Sequence, residues 1–312
     1  MQKKHGMAKA RKSSEKGLAL IITILITAML VAVISEVVYS VHLQLMRVRS
    51  MRDGVRAGVL AEGGVRLAAM TMADLFKDKE YTAYRPEDAT RVVPVDYGVL
   101  TLKIDDEQGK ISLNSMVYSN GETNDAYYDM YSRLISGLKL EEGLVASVAD
   151  WIDPDDVPRP GGAETNDYYK AVKPAYEAKG TYLDSNEELM LVKGYDRGVF
   201  KGIAPFVTAY TDGKININTA PKEVIMAISE DITESMAEDV IEYRAKKPFK
   251  STADIRKVAG FDVAGFDIQD RITVKSSIFR VFSTATVGES VKSIEAVVDA
   301  GSSGKALFWR VN

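Results

Sequence analysis

The stretch that decides the fold is Leu18–Ser35, LALIITILITAMLVAVIS, which contains no charged side chain. Glu36 is the first interruption, and a further apolar stretch reaches Leu45. A membrane-spanning helix needs ~17–25 mostly apolar residues, so this segment is long enough to cross a bilayer. A secretory signal has a shorter apolar region with a small-residue cleavage site after it, whereas here Gly17 precedes the apolar run. The sequence therefore predicts a membrane anchor.

Residues 1–17 carry six basic side chains and one acidic side chain. Because positive charge is retained on the cytoplasmic side, we expect a cytoplasmic N-terminus and a body on the far side of the membrane. The remaining chain has 34 basic and 43 acidic residues. An acidic body is a poor match to the basic surface of a nucleic-acid binder, so we expect no nucleic acid.

Cysteine is absent, and the two histidines are His5 in the leader and His42 on the apolar helix. This composition excludes disulfides, thiolate zinc sites and cysteine nucleophiles. It also nearly excludes mechanisms in which a histidine activates a nucleophile. This composition therefore removes most familiar enzyme chemistries, and we name no catalytic residue.

The apolar pattern continues beyond the membrane segment at helical spacing, and no proline occurs before Pro86. A helix from Leu18 to about Met72 would be on the order of 80 Å long. Its first half could lie in lipid and its second half could pack on a domain. The stripe consists of Val41, Leu45, Val48, Val55, Val59 and Met70.

This N-terminus resembles that of type IV pilin-like proteins, although a plain single-pass anchor is an alternative. The resemblance implies that a prepilin peptidase cuts between Gly17 and Leu18 and that the new Leu18 amine is methylated. Pilin-like chains usually carry Glu at the fifth mature position, where this chain has Ile22. That Glu is thought to neutralise the terminal amine of a neighbouring subunit, and an unpaired carboxylate in lipid costs several kcal/mol. Ile22 therefore favours a subunit at a filament tip.

The order of helical and strand patterns in the body predicts an α+β fold. In this fold a pilin-like helix packs on an antiparallel sheet, and a large all-α domain is inserted between strands. Val92–Ile104 predicts one or two strands, followed by a turn over 105–109. Helical patterns follow over 127–140, 141–152, 186–192, 197–206, 221–229, 235–245 and 252–258. β-Branched runs then return over 271–275, 278–286, 293–299 and 306–311, which we expect to form a meander. The predicted divisions are a leader (1–17), a transmembrane half-helix (18–45), the second half-helix with the first strands (46–110), the helical insert (111–270) and the last strands (271–312).

An acidic loop is the best candidate ion site. Seven side chains with a carboxylate or carboxamide group crowd the segment 150–167, and three prolines stiffen it. The seven are Asp150, Asp153, Asp155, Asp156, Glu164, Asn166 and Asp167, and the prolines are Pro154, Pro158 and Pro160. Calcium takes six to eight oxygen ligands, mostly from loops of this kind. The EF-hand spacing is missing, so a solvated acidic turn that caps a helix is an equally good interpretation from spacing alone.

Six motifs in consistent order give the chain a resemblance, over nearly its whole length, to minor pseudopilin K of bacterial type II secretion systems. Ile22 in place of Glu is also typical of that family. The motifs are DEQGKISLN (106–114), DWID (150–153), PRPGGAE (158–164), LVKG (191–194), APFVT (204–208) and ININTAP (215–221).

The resemblance implies a single-pass protein of the bacterial inner membrane with a periplasmic body. It would be a non-enzymatic subunit that caps the tip of a pseudopilus and helps initiate its assembly for export of folded proteins across the outer membrane. The implied partners are minor pseudopilins I, J and H, the major pseudopilin and the prepilin peptidase. Family members that bind calcium in the inserted domain move the acidic loop toward a Ca²⁺ site. The predicted ligands are Asp153, Asp155, Asp156, Glu164, Asn166 and Asp167.

Two other functions stay open at this point. Residues 216–260 look like a helix-hairpin-helix, which would suit a minor pilin of a type IV pilus or DNA-uptake machine. The turn over 231–234 is acidic and lacks the glycines with which DNA-binding hairpins approach phosphate, so we interpret the segment as a scaffold for protein contact. A membrane-tethered hydrolase using paired carboxylates is the third possibility, but no pair is distinguished by its spacing.

Overall fold

The computed structural model describes residues 4–84, 89–302 and 304–312, with side chains from Gly17 onward. The helices are α1 (Lys4–Phe76), α2 (Asp125–Gly137), α3 (Gly143–Ile152), α4 (Arg197–Ile203), α5 (Lys222–Ala227), α6 (Glu234–Lys246) and α7 (Phe261–Asp267). The strands are β1 (Thr90–Val95), β2 (Gly98–Asp106), β3 (Ile111–Ser112), β4 (Val207–Thr208), β5 (Ile215–Asn216), β6 (Ile272–Thr273), β7 (Ile278–Val287), β8 (Ser290–Asp299) and β9 (Lys305–Val311).

Helix α1 is one continuous element of 73 residues. At ~1.5 Å per residue it is on the order of 110 Å long, because no proline interrupts it. Its part from Gly17 to Phe76 contains an apolar window long enough to cross a membrane, and none of that window is buried by the rest of the protein. The predicted long helix is confirmed, and it begins before Leu18.

Five strands form one antiparallel sheet in the order β1-β2-β7-β8-β9. Strand β2 pairs with β7 so that Leu100 lies opposite Ala285 and Ile104 lies opposite Val281. Strands from both ends of the body therefore share one sheet, with residues 107–277 between them. We call α1 and this sheet the pilin-like unit, and residues 107–277 the helical insert. The predicted fold class is confirmed.

Small residues let α1 lie directly on the sheet. Ala57, Ala61 and Ala68 are buried and belong to one apolar core with residues of β2, β7 and β8. The Ser283 hydroxyl donates to the Ala61 carbonyl at 2.7 Å. A Cβ on Gly64 would lie 2.3 Å from Ser283 Oγ, so glycine is required for this close approach.

The helical insert has its own core, built mainly from α2, α3, α5 and α6 and closed by two pairs of short parallel strands. We predicted that 271–275 would join the C-terminal meander, and this was wrong. Strand β6 pairs with β5, and Ile272 and Val274 are buried in the core of the insert. Local β propensity identified the strand, but its partner lies far earlier in the chain.

Three local expectations also need correction. The predicted turn over 105–109 begins too early, because Asp105 and Asp106 continue β2 and only Glu107–Gly109 turns. The predicted helices over 186–192 and 252–258 are short 3₁₀ segments. Helix α7 was not predicted, since its sequence, FDVAGFD, contains β-branched, aromatic and glycine residues that disfavour helix locally.

A buried polar cluster joins the two units where β2 ends. Asp106 accepts hydrogen bonds from Thr219 Oγ1 at 2.6 Å, from Ser276 Oγ at 2.5 Å and from Asn216 Nδ2 at 3.2 Å. Asn216 also donates to the Thr82 carbonyl at 3.1 Å. The ININTAP motif is therefore structural, because two of its side chains tie the insert to the sheet.

An ion network continues from the same joint. Glu107 is fully buried, and its Oε1 accepts from Arg280 Nε at 2.9 Å and also contacts Lys110 Nζ. Arg280 also pairs with Glu295 on β8 at 2.5 Å. Burial opposes the charged form of Glu107, but Lys110 and Arg280 lower its pKa to about 2. No local pattern predicts this network, since its members come from opposite ends of the body.

Neighbouring glycines of α1 allow a matched test of the helix–sheet contact. Gly64→Ala should lower the melting temperature of the full chain in detergent, because overpacking such a site costs ~1–3 kcal/mol. Gly63 is exposed, with nothing within 4 Å of an added Cβ. Gly63→Ala should therefore leave the melting temperature unchanged or raise it, since alanine favours helix by ~1 kcal/mol. Equal shifts for the two variants, measured by circular dichroism, would contradict the close contact.

Candidate functional site

Three carboxylates meet at the C-terminal end of α3. One oxygen each from Asp150, Asp153 and Glu164 lies within 4.8 Å of the others, and all three residues are buried. Asp150 lies in the last turn of α3, which ends at Ile152 because Asp153 adopts an extended conformation before Pro154. Glu164 returns from the far side of the proline-rich loop. We call these three residues the carboxylate cluster.

Asp150 organises the loop that surrounds the cluster. Its carboxylate accepts from the Ala163 amide at 2.9 Å and from the Arg159 amide at 3.1 Å. A Cβ on Gly162 would lie 1.9 Å from Asp150 Oδ2, so only glycine fits there. The DWID and PRPGGAE motifs therefore fold against each other through one buried acid.

A single cation, Arg159, faces the cluster among the described residues. Its Nη1 lies 2.8 Å from Asp150 Oδ1 and also contacts Asp153 Oδ2. Burial raises the pKa of Asp150 and of Asp153 against the opposing effect of Arg159. Burial, together with the charges of Asp153 and Asp150, raises the pKa of Glu164 to about 8. The cluster therefore lacks positive charge when its three acids are ionised.

Two oxygens of the cluster have no hydrogen-bond partner among the described residues. Asp153 Oδ1 and Glu164 Oε1 are both inaccessible to solvent and unpaired. Buried polar atoms in native proteins are nearly always satisfied, and leaving one unpaired costs ~1–3 kcal/mol or more when it is charged. A hard divalent cation prefers carboxylate and carbonyl oxygens. The donor set, its buried unpaired oxygens and its charge therefore fit Ca²⁺, with Asp150, Asp153 and Glu164 as the holding residues.

The structure brings together two of the six predicted ligands, Asp153 and Glu164. It adds Asp150, which the predicted ligand set omitted although it belongs to the same acidic run. Its sequence signal is its place in the DWID motif, in the last turn of a predicted helix and three residues before Asp153.

The other four predicted ligands are exposed and lie outside the carboxylate cluster. Asp155 accepts from the Val157 amide at 2.8 Å, and Asp156 accepts from the Asn166 amide at 3.3 Å. Asp167 accepts from the Glu164 amide at 2.6 Å, and Asn166 accepts from Lys170 at 2.7 Å. In this arrangement they shape the loop, and their role as ligands stays a prediction.

Aromatic rings and one lysine pack against the loop that carries Glu164. Trp151 and Tyr169 pack edge to face, with ring centroids 5.2 Å apart, and Tyr169 is fully buried. Lys193 of the LVKG motif donates to the Gly162 carbonyl at 2.8 Å and lies over the Tyr168 ring. These contacts hold the glycine-rich loop against the core.

The predicted processing residues lie in the exposed part of α1. An added Cβ on Gly17 would meet nothing within 4 Å, and Leu18 and Ile22 are 60% and 49% exposed. A long run of exposed apolar residues follows, as in a helix that is covered by lipid or by other helices. Cleavage after Gly17 stays a prediction.

Comparison with known proteins identifies the family. Two models, both described as type II secretion system protein K, match residues 109–212 and 215–275, together more than half of the chain. The chain belongs to the type II secretion system protein K family. The resemblance to minor pseudopilin K is thereby confirmed.

Relatives and a solved structure agree with that assignment. Type II secretion system protein K of Pseudomonas aeruginosa is 28% identical over 94% of this chain and 91% of its own length. The protein K of Aeromonas hydrophila is 25% identical, over 94% and 96%. The crystal structure of the GspK-GspI-GspJ complex from enterotoxigenic Escherichia coli contains a chain with the same fold. Its TM-score is 0.71 at 18% identity, and the match covers 85% of this chain and 99% of that one.

Within this protein K fold, the helix-hairpin-helix segment comprises α5, an acidic turn and α6. Thr233 caps α6 by accepting from the Met236 amide at 3.3 Å. Lys222 of α5 pairs with Glu234 at 2.6 Å and with Glu238 at 3.3 Å across the hairpin. The hairpin therefore carries acidic side chains, and Lys222 is paired with two of them. This arrangement fits a scaffold for protein contact better than a phosphate-binding hairpin.

Calcium should raise the melting temperature of the full chain in detergent. At a free calcium concentration of 100 times the dissociation constant, one site adds ~2.7 kcal/mol to the free energy of unfolding, because the ion binds only the folded loop. Asp153→Asn and Glu164→Gln should each abolish the difference in melting temperature between calcium and a chelator. Asp129→Asn, an acid in α2 outside the cluster, is the matched control and should keep it. Asp155→Asn should also keep the calcium-dependent shift if the carboxylate cluster alone holds the ion, and it should reduce the shift if the wider predicted set does. An unchanged wild-type melting temperature would contradict the site.

The melting temperatures with chelator and with calcium should also depend on pH. The pKa of Glu164 rises from 4.5 to about 8 on folding. With chelator present, its contribution to stability is therefore complete below pH ~4.5 and is lost as pH rises toward ~8. Calcium competes with this proton, so the calcium-dependent shift should grow over that interval. Glu164→Gln should flatten both trends.

Proposed function

We propose that this protein K is a non-enzymatic minor pseudopilin that caps the tip of the type II secretion pseudopilus. There it would help initiate assembly for export of folded proteins across the outer membrane. The observation that carries the proposal is the position of the helical insert on the pilin-like unit, in a chain of the protein K family.

The insert lies at the end of α1 that is distant from the apolar segment. The β7–β8 turn contacts the middle of α1, where Ser290 Oγ lies 3.4 Å from the Ser50 carbonyl. At the opposite edge, Phe76 stacks on Phe279 with ring centroids 5.9 Å apart. Strand β2 leaves the sheet and β7 enters it at that distal edge. A bulky domain there would clash with a subunit stacked above it, which supports a terminal position.

Ile22 supports the same position. A subunit with a neighbour above it would benefit from a carboxylate at this point, whereas a tip subunit would only bear the cost of burying it in lipid. The apolar side chain is compatible with lipid or with packing against neighbouring helices.

The proposed partners are minor pseudopilins I and J, since the solved complex that shares this fold contains GspK, GspI and GspJ. Minor pseudopilin H and the major pseudopilin would lie beneath them. The body would be periplasmic and the anchor would lie in the inner membrane. Prepilin peptidase would cut after Gly17 and methylate Leu18.

Calcium in the carboxylate cluster would act as a structural ion. Asp150, Asp153 and Glu164 would hold it, linking the end of α3 to the far side of the proline-rich loop. The ion would supply the positive charge that the buried carboxylates lack and so rigidify the exposed face of the insert.

Processing provides a covalent test of the pilin-like interpretation. Mass spectrometry of the chain purified from a host with a type II secretion system should show Leu18 as the first residue, carrying one methyl group. Gly17→Val should retain the leader. Gly58→Val is a suitable control, because Gly58 also has nothing within 4 Å of an added Cβ. A wild-type chain that keeps residues 1–17 would contradict the proposal.

Export of folded proteins provides the functional test. Deleting the gene should leave secreted enzymes active but trapped in the periplasm, and the wild-type chain should restore them to the medium. Ile22→Glu should restore export poorly if this position must be apolar at the tip, and Ile22→Leu should restore it fully. If export continues without the gene while piliation or DNA uptake is lost, the minor-pilin alternative is favoured.

A further inference from the structure

A large cleft separates the back of the sheet from the helical insert. It has a volume of about 1170 Å³ and lies against the sheet face opposite α1, where Lys103, Arg280 and Phe282 project. Helix α4, the start of α5 and the end of α6 form the other wall. We call this space the inter-unit cleft. The buried polar joint at Asp106 closes one part of it, and none of the residues of the carboxylate cluster lines it.

The walls of the inter-unit cleft are largely apolar. Three aromatic residues line it: Phe282 on β7 and Phe200 on α4 belong to opposite walls, and Tyr84 follows α1. The surrounding surface is made of proline and aliphatic side chains, which present apolar area with little conformational freedom. They are Pro205, Pro221, Pro248 and Ile241.

Three cations of the insert face this cleft without an ion partner among the described residues. Arg280 and Arg310, which also line it, are paired with Glu295. In contrast, Arg197, Lys201 and Arg244 form no salt bridge within the described ranges. Arg197 and Lys201 are exposed and lie one helical turn apart on α4, so they project from the same face.

Arg244 is the most informative of the three. Its Nη1 donates to the Ile217 carbonyl at 2.8 Å, and this is the one hydrogen bond of its guanidinium to a described residue. Burial lowers its pKa to about 10, and no carboxylate of the described residues offsets the effect. A partly buried guanidinium with free donors is a ready partner for a carboxylate, which it can bind with two parallel hydrogen bonds.

We propose that the inter-unit cleft binds an acidic, partly apolar peptide segment. Arg244 binds one carboxylate of the segment, Arg197 and Lys201 attract further acids at the entrance, and apolar side chains lie between Phe200 and Phe282. The cleft exceeds the ~300–1,000 Å³ of most small-molecule sites, which favours a stretch of polypeptide over a metabolite. This recognition role goes beyond assembly of the pseudopilus and does not depend on it.

The test uses the full chain in detergent and fluorescence polarisation. The probe is a fluorescein-labelled peptide that alternates glutamate with leucine, and the comparison peptide carries glutamine in place of glutamate. The acidic peptide should bind at least tenfold more tightly. Arg244→Gln should weaken its binding about tenfold or more, and Arg244→Lys should weaken it less. Equal binding of the two peptides would overturn the proposal.

A surface variant guards against effects on folding. Arg197→Gln/Lys201→Gln removes two exposed charges of the cleft and should weaken binding several-fold with an unchanged melting temperature. Lys292→Gln/Lys305→Gln removes two exposed charges outside the cleft lining and should leave binding unchanged. Equal effects of the two double variants would reduce the interaction to non-specific attraction and overturn the proposal. Binding of citrate or inorganic phosphate to Arg244 without peptide binding would also overturn it, in favour of a small-anion site.

Discussion

The contact of α1 with the sheet is the constraint on which the rest of the structure depends. The same helix must expose apolar side chains in its first half and bury small ones in its second. Gly64 and its neighbouring alanines bring the backbone of α1 close to β2 and β7, and this joins two strands that are separated by the whole helical insert. Without that contact, the sheet would lose one whole covering layer and the insert would lose its fixed position.

The polar contacts at the end of β2 fix the position of the insert on the sheet. Asp106 and Glu107 are adjacent in sequence but serve different partners. The first binds hydroxyl and amide groups of the insert, and the second balances Lys110 and Arg280. Buried ions of this kind stabilise little in total, but removing one member leaves an uncompensated charge. The insert is therefore held at the distal edge of the sheet by directional contacts, with the inter-unit cleft beside them.

Sequence reasoning predicted the features that depend on local pattern. The uncharged run after Gly17 predicted the long helix, and β-branched runs predicted β2, β7, β8 and β9. The sheet partner of β6 could not be predicted, because pairing with β5 is decided by tertiary packing. The acidic run pointed to the candidate ion site, but spacing could not separate Asp150, Asp153 and Glu164 from the acids around them. Burial decides that distinction, and it depends on Gly162 and on distant aromatic residues.

The most direct test of a terminal position is cross-linking along the exposed half of α1 in native membranes. The chain has no cysteine, so Ile22→Cys or Val33→Cys introduces a single reactive thiol. Cysteines placed along the N-terminal helices of subunits I and J provide the partners. A tip subunit should form disulfides with I or J under mild oxidation and none between two copies of this chain. Efficient cross-links between copies, as in a repeating stack, would contradict a tip subunit.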